Sequence, residues 1–163
     1  MVNDQRRKQT SKIVNHSPYR GFLFLTHLLS ISKPYTLGKS ERLKSRKQID
    51  QLFETGKKIT LFPFRLLYRI EQGRGSVQAG FTVSSRNFPR AVDRNRIKRL
   101  SREAYRLQKK ELETGVLKND YSLYLFFIYT GREMVGYKEI SEPLKKLLDK
   151  LVKALYEKDP AST

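Results

Sequence analysis

From Ser45 to Thr55 the chain reads SRKQIDQLFET, with Ile49, Leu52 and Phe53 three or four residues apart. That spacing predicts a short amphipathic helix, with Ser45 as N-cap, Gln48 in the capping-box position and Gly56 as its stop. KITLFPFRLLYRI follows, dense in aromatic and branched residues, and predicts a strand or a bent pair of strands, with Pro63 marking an edge or bulge. After the turn cluster EQGRG, SVQAGFTVS places Val77, Ala79, Phe81 and Val83 at alternate positions, the pattern of a half-buried strand. YSLYLFFIYT is nearly all apolar, as a central strand covered on both faces should be. In SEPLKKLLDKLVKALYEK, Leu144, Leu147, Leu148, Leu151 and Leu155 recur at helical spacing, with Ser141 as cap and Pro143 in the first turn. The order α-β-β-(β)-α-β-α predicts an α+β fold, a small mixed sheet with helices packed on it.

Between the second and third of these strand patterns lies RAVDRNRIKRLSREAYR, Arg90 to Arg106. At 100° per residue from Asp93, Ile97, Leu100, Ala104 and Leu107 fall within an arc of about 80°, a core-facing stripe. Asn95, Lys98, Arg99, Arg102, Arg106 and Lys109 fall on the opposite side, within about 100° by the same arithmetic. Arg94 and Tyr105 flank that arc, and Arg96 and Glu103 lie near the apolar border. Asp93 is expected to cap the helix, Arg99 to pair with Glu103, and ETGVLKND to end the helix.

Composition changes this picture in one respect. The 163 residues carry 34 Lys and Arg against 16 Asp and Glu, a net charge of +18. Such an excess concerns a partner, not the fold, and the commonest partner is nucleic acid. With no cysteine there is neither a disulfide nor a thiolate metal site, and His16 and His27 stand outside any metal-binding spacing. The apolar run Gly21 to Ser32 is too short to span a membrane, so no membrane partner is expected. Residues 1–38 are expected to be a disordered extension or the result of a start placed upstream of the true one, 39–158 the folded domain, and 159–163 a tail.

Because nearly all cations of the central helix share one face, that face reads as a phosphate-binding surface, where a soluble helix would intersperse both signs. Guanidinium forks match phosphate oxygens, and Arg86, Arg90 and Arg94 carry the positive field toward the helix N-terminus. The pattern determines a polyanion, not a sequence.

RNRIKRLSREAYR closely resembles the signature of the protein subunit of bacterial ribonuclease P, R-N-R-x-K-R followed by an apolar residue and a further R-E/Q. Arg94, Asn95, Arg96, Lys98, Arg99 and Arg102 match it position for position. The resemblance runs from about Lys39 to Lys158 and includes GFTVS before the basic loop; one departure is Ser85, where the family usually has lysine, with Arg86 one step later. It implies a left-handed β-α-β crossover and a ribonucleoprotein that removes the 5′ leader of precursor tRNA, in the cytoplasm, with no further protein partner required. It also implies that the cationic face, Arg86, Arg90, Arg94, Asn95, Arg96, Lys98, Arg99, Arg102 and Arg106, meets the catalytic RNA. A cleft of Ile49, Phe53 and Tyr68, with Phe64 as the alternative to Tyr68, would take the single-stranded leader. The protein alone holds no cofactor in this reading; Mg2+ is expected in the ribonucleoprotein, bound mainly by RNA.

No catalytic residue is expected in the polypeptide. Its ordered region has no cysteine or histidine to act as nucleophile or base, and Asp93, Glu103 and Glu111 stand singly in basic surroundings. A ribosomal or RNA-chaperone protein using the same face is the alternative, and a protein-only nuclease with an unrecognised carboxylate site a third.

Overall fold

The computed structural model describes residues 36–73, 75–118 and 121–156. Its elements are α1 (Arg46–Thr55), β1 (Lys57–Leu61), β2 (Phe64–Gln72), β3 (Ser76–Val83), α2 (Ala91–Gln108), α3 (Lys110–Lys118), β4 (Tyr121–Tyr129) and α4 (Tyr137–Tyr156). Ser45 caps α1 as its residue type suggests, its hydroxyl accepting from the Gln48 N–H at 3.4 Å. Gly56 ends the helix in an extended conformation, where a Cβ would stand 2.2 Å from the Leu52 carbonyl oxygen.

The KITLFPFRLLYRI segment is a hairpin. Leu61 pairs with Phe64, which leaves Phe62 and Pro63, joined by a cis peptide bond, as the turn. Pro63 therefore marks neither an edge nor a bulge; its missing N–H falls in the turn, where no ladder bond is needed. Its carbonyl accepts from the backbone N–H and the hydroxyl of Thr130, at 2.8 and 3.0 Å, tying the turn to the end of β4.

The four strands lie in the order β1-β2-β4-β3, with β4 antiparallel to β2 and parallel to β3. An interior strand between two layers must be apolar on both faces, and β4 is. Leu123, Leu125, Phe127 and Tyr129 join the main core, while Tyr124 and Phe126 join a smaller one with Leu43, Leu52 and Leu67. Helices α2, α3 and α4 supply the main core and α1 covers the other side. The outer edge of β3 is closed by Glu41 to Leu43, through Leu43 N–H to Ala79 O at 3.1 Å and Ala79 N–H to Glu41 O at 2.9 Å.

Three expected boundaries move. Helix α4 begins at Tyr137, because Ile140, fully buried, extends the apolar stripe by one turn. Ser141 is thus interior, accepting from Gln108 Nε2 at its carbonyl (3.2 Å) and its hydroxyl (2.7 Å), and Pro143 sits inside the helix. Helix α2 begins at Ala91 with Arg90 at the N-cap position, so Asp93 is a first-turn residue and not the cap; there its charge still suits the helix dipole. ETGVLKND does not end that helix directly: the chain breaks at Lys109 and α3 runs on through Gly115 to Lys118. Residues 1–35 and 157–163, including His16, His27, the apolar run and the expected tail, lie outside the described residues. Packing begins by Leu37, partly buried against the main core, two residues before the expected domain start.

Candidate nucleic-acid interface

Helix α2 is held by Ile97, Ser101, Ala104 and Tyr105, all buried. At 100° per residue this buried arc is turned by about 60° from the expected stripe. The rotation has three consequences. Leu107 is 43% exposed, whereas it was expected in the core; Tyr105 is buried, whereas it was expected beside the cations. Lys109, expected on the cationic face, is only 4% exposed.

The reason is Lys109's own chemistry. Its ammonium reaches Glu41 at 2.5 Å and Glu113 at 2.7 Å, so the charge is paired inside the break between α2 and α3. Burial alone would lower its pKa, but the bonds to Glu113 and Glu41 prevail and the pKa rises. Burial pushes Glu113 up despite Lys109, and pushes the Tyr105 phenol far up, reinforced by the charges of Glu113 and Glu41.

The remaining cations divide by partner. Arg86, Arg90, Asn95, Arg96, Arg99 and Arg102 are exposed, and Lys98 is partly exposed. None of their side chains is engaged by an ion pair or hydrogen bond among the described residues. Arg94 is turned inward along the loop, its Nη1 donating to the carbonyls of Phe88 at 2.8 Å and Pro89 at 2.5 Å. It shapes the loop that presents Arg86 and Arg90. Glu103 pairs not with Arg99 but with Arg106, whose Nε and Nη2 reach its two oxygens at 2.9 and 2.5 Å. That fork at i, i+3 holds the Glu103 carboxyl below its usual range and leaves Arg99 free.

Asn87, which the sequence reading did not single out, fixes the loop from the other side. Its Nδ2 donates to the carbonyls of Thr130 at 3.1 Å and Gly131 at 3.0 Å. A polar amide in a strand-to-helix loop was the available signal.

The cleft residues separate. Ile49 and Phe53 lie on the α1 side of the sheet, where Phe53 is 58% exposed and meets Phe126 edge-on at 5.7 Å. Phe64 and Tyr68 point the other way, into the main core, and are buried. Strand parity is the physical cause: in β2 the even positions face α2 and α4, and Leu67 faces α1. The α1 side is instead furnished by the register rows Arg65–Ile128–Thr82, Leu67–Phe126–Gly80 and Arg69–Tyr124–Gln78. Gly80 lets the Phe126 ring lie over β3; a Cβ there would be 2.6 Å from Phe126 Cδ2. Arg69 stands 5.7 Å over the Tyr124 ring, bonds Gln51 Oε1 at 3.0 Å and pairs with Glu71. The outcome is a face bounded by α1 on which Phe53 is the exposed ring, packed over the largely buried Phe126 and Tyr124, with exposed Arg65 at the end where β3 enters the Arg86 loop. Such a surface suits unstacked bases and a phosphate chain.

The profile of the family described as Ribonuclease P matches residues 37–152, a span that holds all of these residues. The chain belongs to the ribonuclease P protein family. It is 34% identical over 122 residues to the ribonuclease P protein component of Porphyromonas gingivalis, covering 72% of this chain and 89% of that one. The corresponding protein of Chlorobaculum tepidum is 37% identical over 114 residues, 64% of this chain and 74% of that one. In fold it is similar to the Staphylococcus aureus RNase P protein, with a TM-score of 0.56 at 20% identity over 69% of this chain and 96% of that one. Membership in the ribonuclease P protein family makes the chain a subunit of an RNA-based endoribonuclease, and the α+β architecture agrees with it. Among the described residues no helix is long and apolar enough to cross a membrane.

Proposed function

We propose that the exposed cationic face of α2 binds the catalytic RNA of ribonuclease P and that the α1 side of the sheet takes the 5′ leader of precursor tRNA. The protein thereby promotes endonucleolytic removal of the leader in tRNA 5′-end maturation. The observation that carries this reading is the RNR string: within the family match, Arg96, Arg99 and Arg102 are exposed with their charges unspent. The groove supports the second half, with Phe53, Ile128 and Arg65 now in the role first given to Phe64 and Tyr68. The ribosomal or chaperone alternative finds no support among these relatives.

Chemistry is assigned to the RNA. Among the described residues no three His, Asp or Glu side chains come together as a metal cluster. Glu103 and Glu113 are already engaged by Arg106 and Lys109. In this proposal Mg2+ is held mainly by the RNA and the protein screens phosphates, in the cytoplasm and with no further protein partner required.

Reconstitution tests the proposal. Full-length chain, a bacterial ribonuclease P RNA and a precursor tRNA are combined at low magnesium. Stimulated leader removal, with no cleavage by the protein alone, is expected. Absence of stimulation overturns the reading, and cleavage without RNA would move catalysis to the polypeptide.

A further inference from the structure

At the end of the sheet where β1 turns into β2, a cavity of about 610 Å³ opens between the hairpin turn, the end of β4 and the start of α4. Its apolar lining includes Phe62, Pro63, Tyr129, Val135 and Pro143. None of these serves the cationic face or the α1-side groove. Phe62 is 77% exposed at the mouth, an unusual place for a phenylalanine that no neighbour covers. The walls are fixed: Thr130 is bonded to Pro63, and the Tyr129 hydroxyl donates to the Glu133 carbonyl at 3.2 Å.

The polar groups of this cavity are of two kinds. Arg132 supplies a cation, while Glu133 and Glu139 supply carboxylates. The Glu133 charge is close enough to raise the Tyr129 phenol, though burial is the larger cause. Pro143 has no N–H to give the Glu139 carbonyl, so a main-chain acceptor at this wall lacks its helical donor. The site therefore combines an apolar lining with several acceptors and one cation.

Asn87 bonds Thr130 and Gly131, two of the lining residues, and so ties the cavity to the loop that presents Arg86. The loop that presents Arg86 and Arg90 is thus anchored to the cavity wall. A second copy of this chain is a poor occupant, because each copy brings a net charge of +18.

We propose that this cavity receives one unstacked nucleobase of the bound RNA, stacked on Phe62, with its phosphate on Arg132 and an exocyclic amino group donated to Glu133 and Glu139. Cytosine, adenine and guanine carry that amino group, whereas uracil flanks its single ring N–H with two carbonyls that the carboxylates repel. The inference rests on the RNA partner implied by family membership, not on which RNA it is.

The probe is a set of nucleoside 5′-monophosphates titrated singly into the full chain, read from NMR resonances of Phe62, Tyr129 and Val135. CMP, AMP and GMP are expected to shift these resonances, with UMP weaker by about three- to tenfold. Phe62→Ala, at an exposed position, is expected to weaken the three by about tenfold while leaving the melting temperature in place. Glu133→Gln with Glu139→Gln should bring UMP level with CMP, since an amide both donates and accepts. Shifts confined to α2, or UMP binding as well as CMP in the unaltered chain, overturn the proposal. Resonances that move with protein concentration alone also overturn it and assign the cavity to a second copy. Leader removal is not read here, so a chain that stimulates cleavage yet ignores nucleotides loses only this inference.

Discussion

The two halves of α2 use the same residue types for opposite ends. As far as Arg102, the side chains of Arg96, Arg99 and Arg102 stand in solvent with no partner among the described residues, and the fold does not need their charges. Beyond Arg102, Arg106 is spent on Glu103 and, at the break just past the helix end, Lys109 on Glu41 and Glu113. Cations that look equivalent in the sequence are thus divided into those left without a partner among the described residues and those consumed by the protein. The division is set by where acidic residues fall: Glu103 is within one turn of Arg106, and Glu41 reaches Lys109 from far along the chain.

The sharpest way to break the contrast is Lys109→Ala. It leaves two partly buried carboxylates facing each other without their cation. Loss of one partner of a buried pair costs roughly 3–5 kcal/mol, and partial exposure of Glu41 and Glu113 places this case near 3 kcal/mol. Denaturant melts check it. The pH dependence has a definite sign. The raised Lys109 pKa means its stabilisation is complete below the ordinary value of 10.5 and fades as pH climbs through the raised one. Glu113, also raised, contributes stability below its ordinary 4.5 and loses it as pH rises through its folded value. In the Ala variant Glu113 loses the cation that opposed its rise and titrates higher still, so the deficit should be largest at neutral pH and shrink in acid.

The converse substitution is Arg99→Ala with Arg102→Ala. Here the melting temperature should stay within a degree or two, since exposed unpaired side chains contribute little to the fold. Affinity for ribonuclease P RNA should fall by about ten- to a hundredfold at moderate salt. The slope of log K against log salt should flatten by about 1 to 2 units as two phosphate contacts are lost. Unchanged binding at every salt concentration would mean the face is idle.

The same contrast explains what the sequence could and could not reveal. The central strand, the α1 cap and the terminal helix were legible because each rests on local pattern: unbroken apolarity, Ser45 before Gln48, leucines at helical spacing. The free cations were legible because the RNR string is a string. The roles of Lys109 and Tyr105 were not, because periodicity weighs hydrophobicity and a paired lysine is as well buried as a leucine. The inward parity of Phe64 and Tyr68 is a different case. Strand β4, covered on both faces, is nearly all apolar and its alternation is silent. In β2, by contrast, Arg65, Arg69 and Glu71 alternate with Phe64, Leu66, Tyr68 and Ile70, so the residues themselves mark the even positions as core and only Leu67 blurs the pattern. The Phe62–Pro63 turn would have fixed the parity, since Leu61 and Phe64 pair across it.

Phe53→Ala measures how far the groove shares in RNA binding. The ring is mostly exposed and touches Phe126 along one edge, so little stability is at stake. One lost stacking contact should weaken precursor tRNA binding about fivefold to tenfold, with mature tRNA, which has no leader, unaffected. Equal losses for both substrates would place Phe53 in packing alone.

The smallest effect probes the boundary between the halves. Glu103→Gln removes the carboxylate that forks with Arg106, so Glu103 no longer neutralises that arginine's charge. The pair is exposed, so stability should change by no more than about 0.5 kcal/mol. RNA affinity at low salt should rise by about two- to threefold, and the salt slope should steepen by somewhat less than about 1 unit, as expected for one further phosphate contact. The double variant Glu103→Gln with Arg106→Ala should return to the affinity of the unaltered chain. If Glu103→Gln leaves affinity and slope where they were, Arg106 lies beyond the RNA footprint, and the interface ends at Arg102.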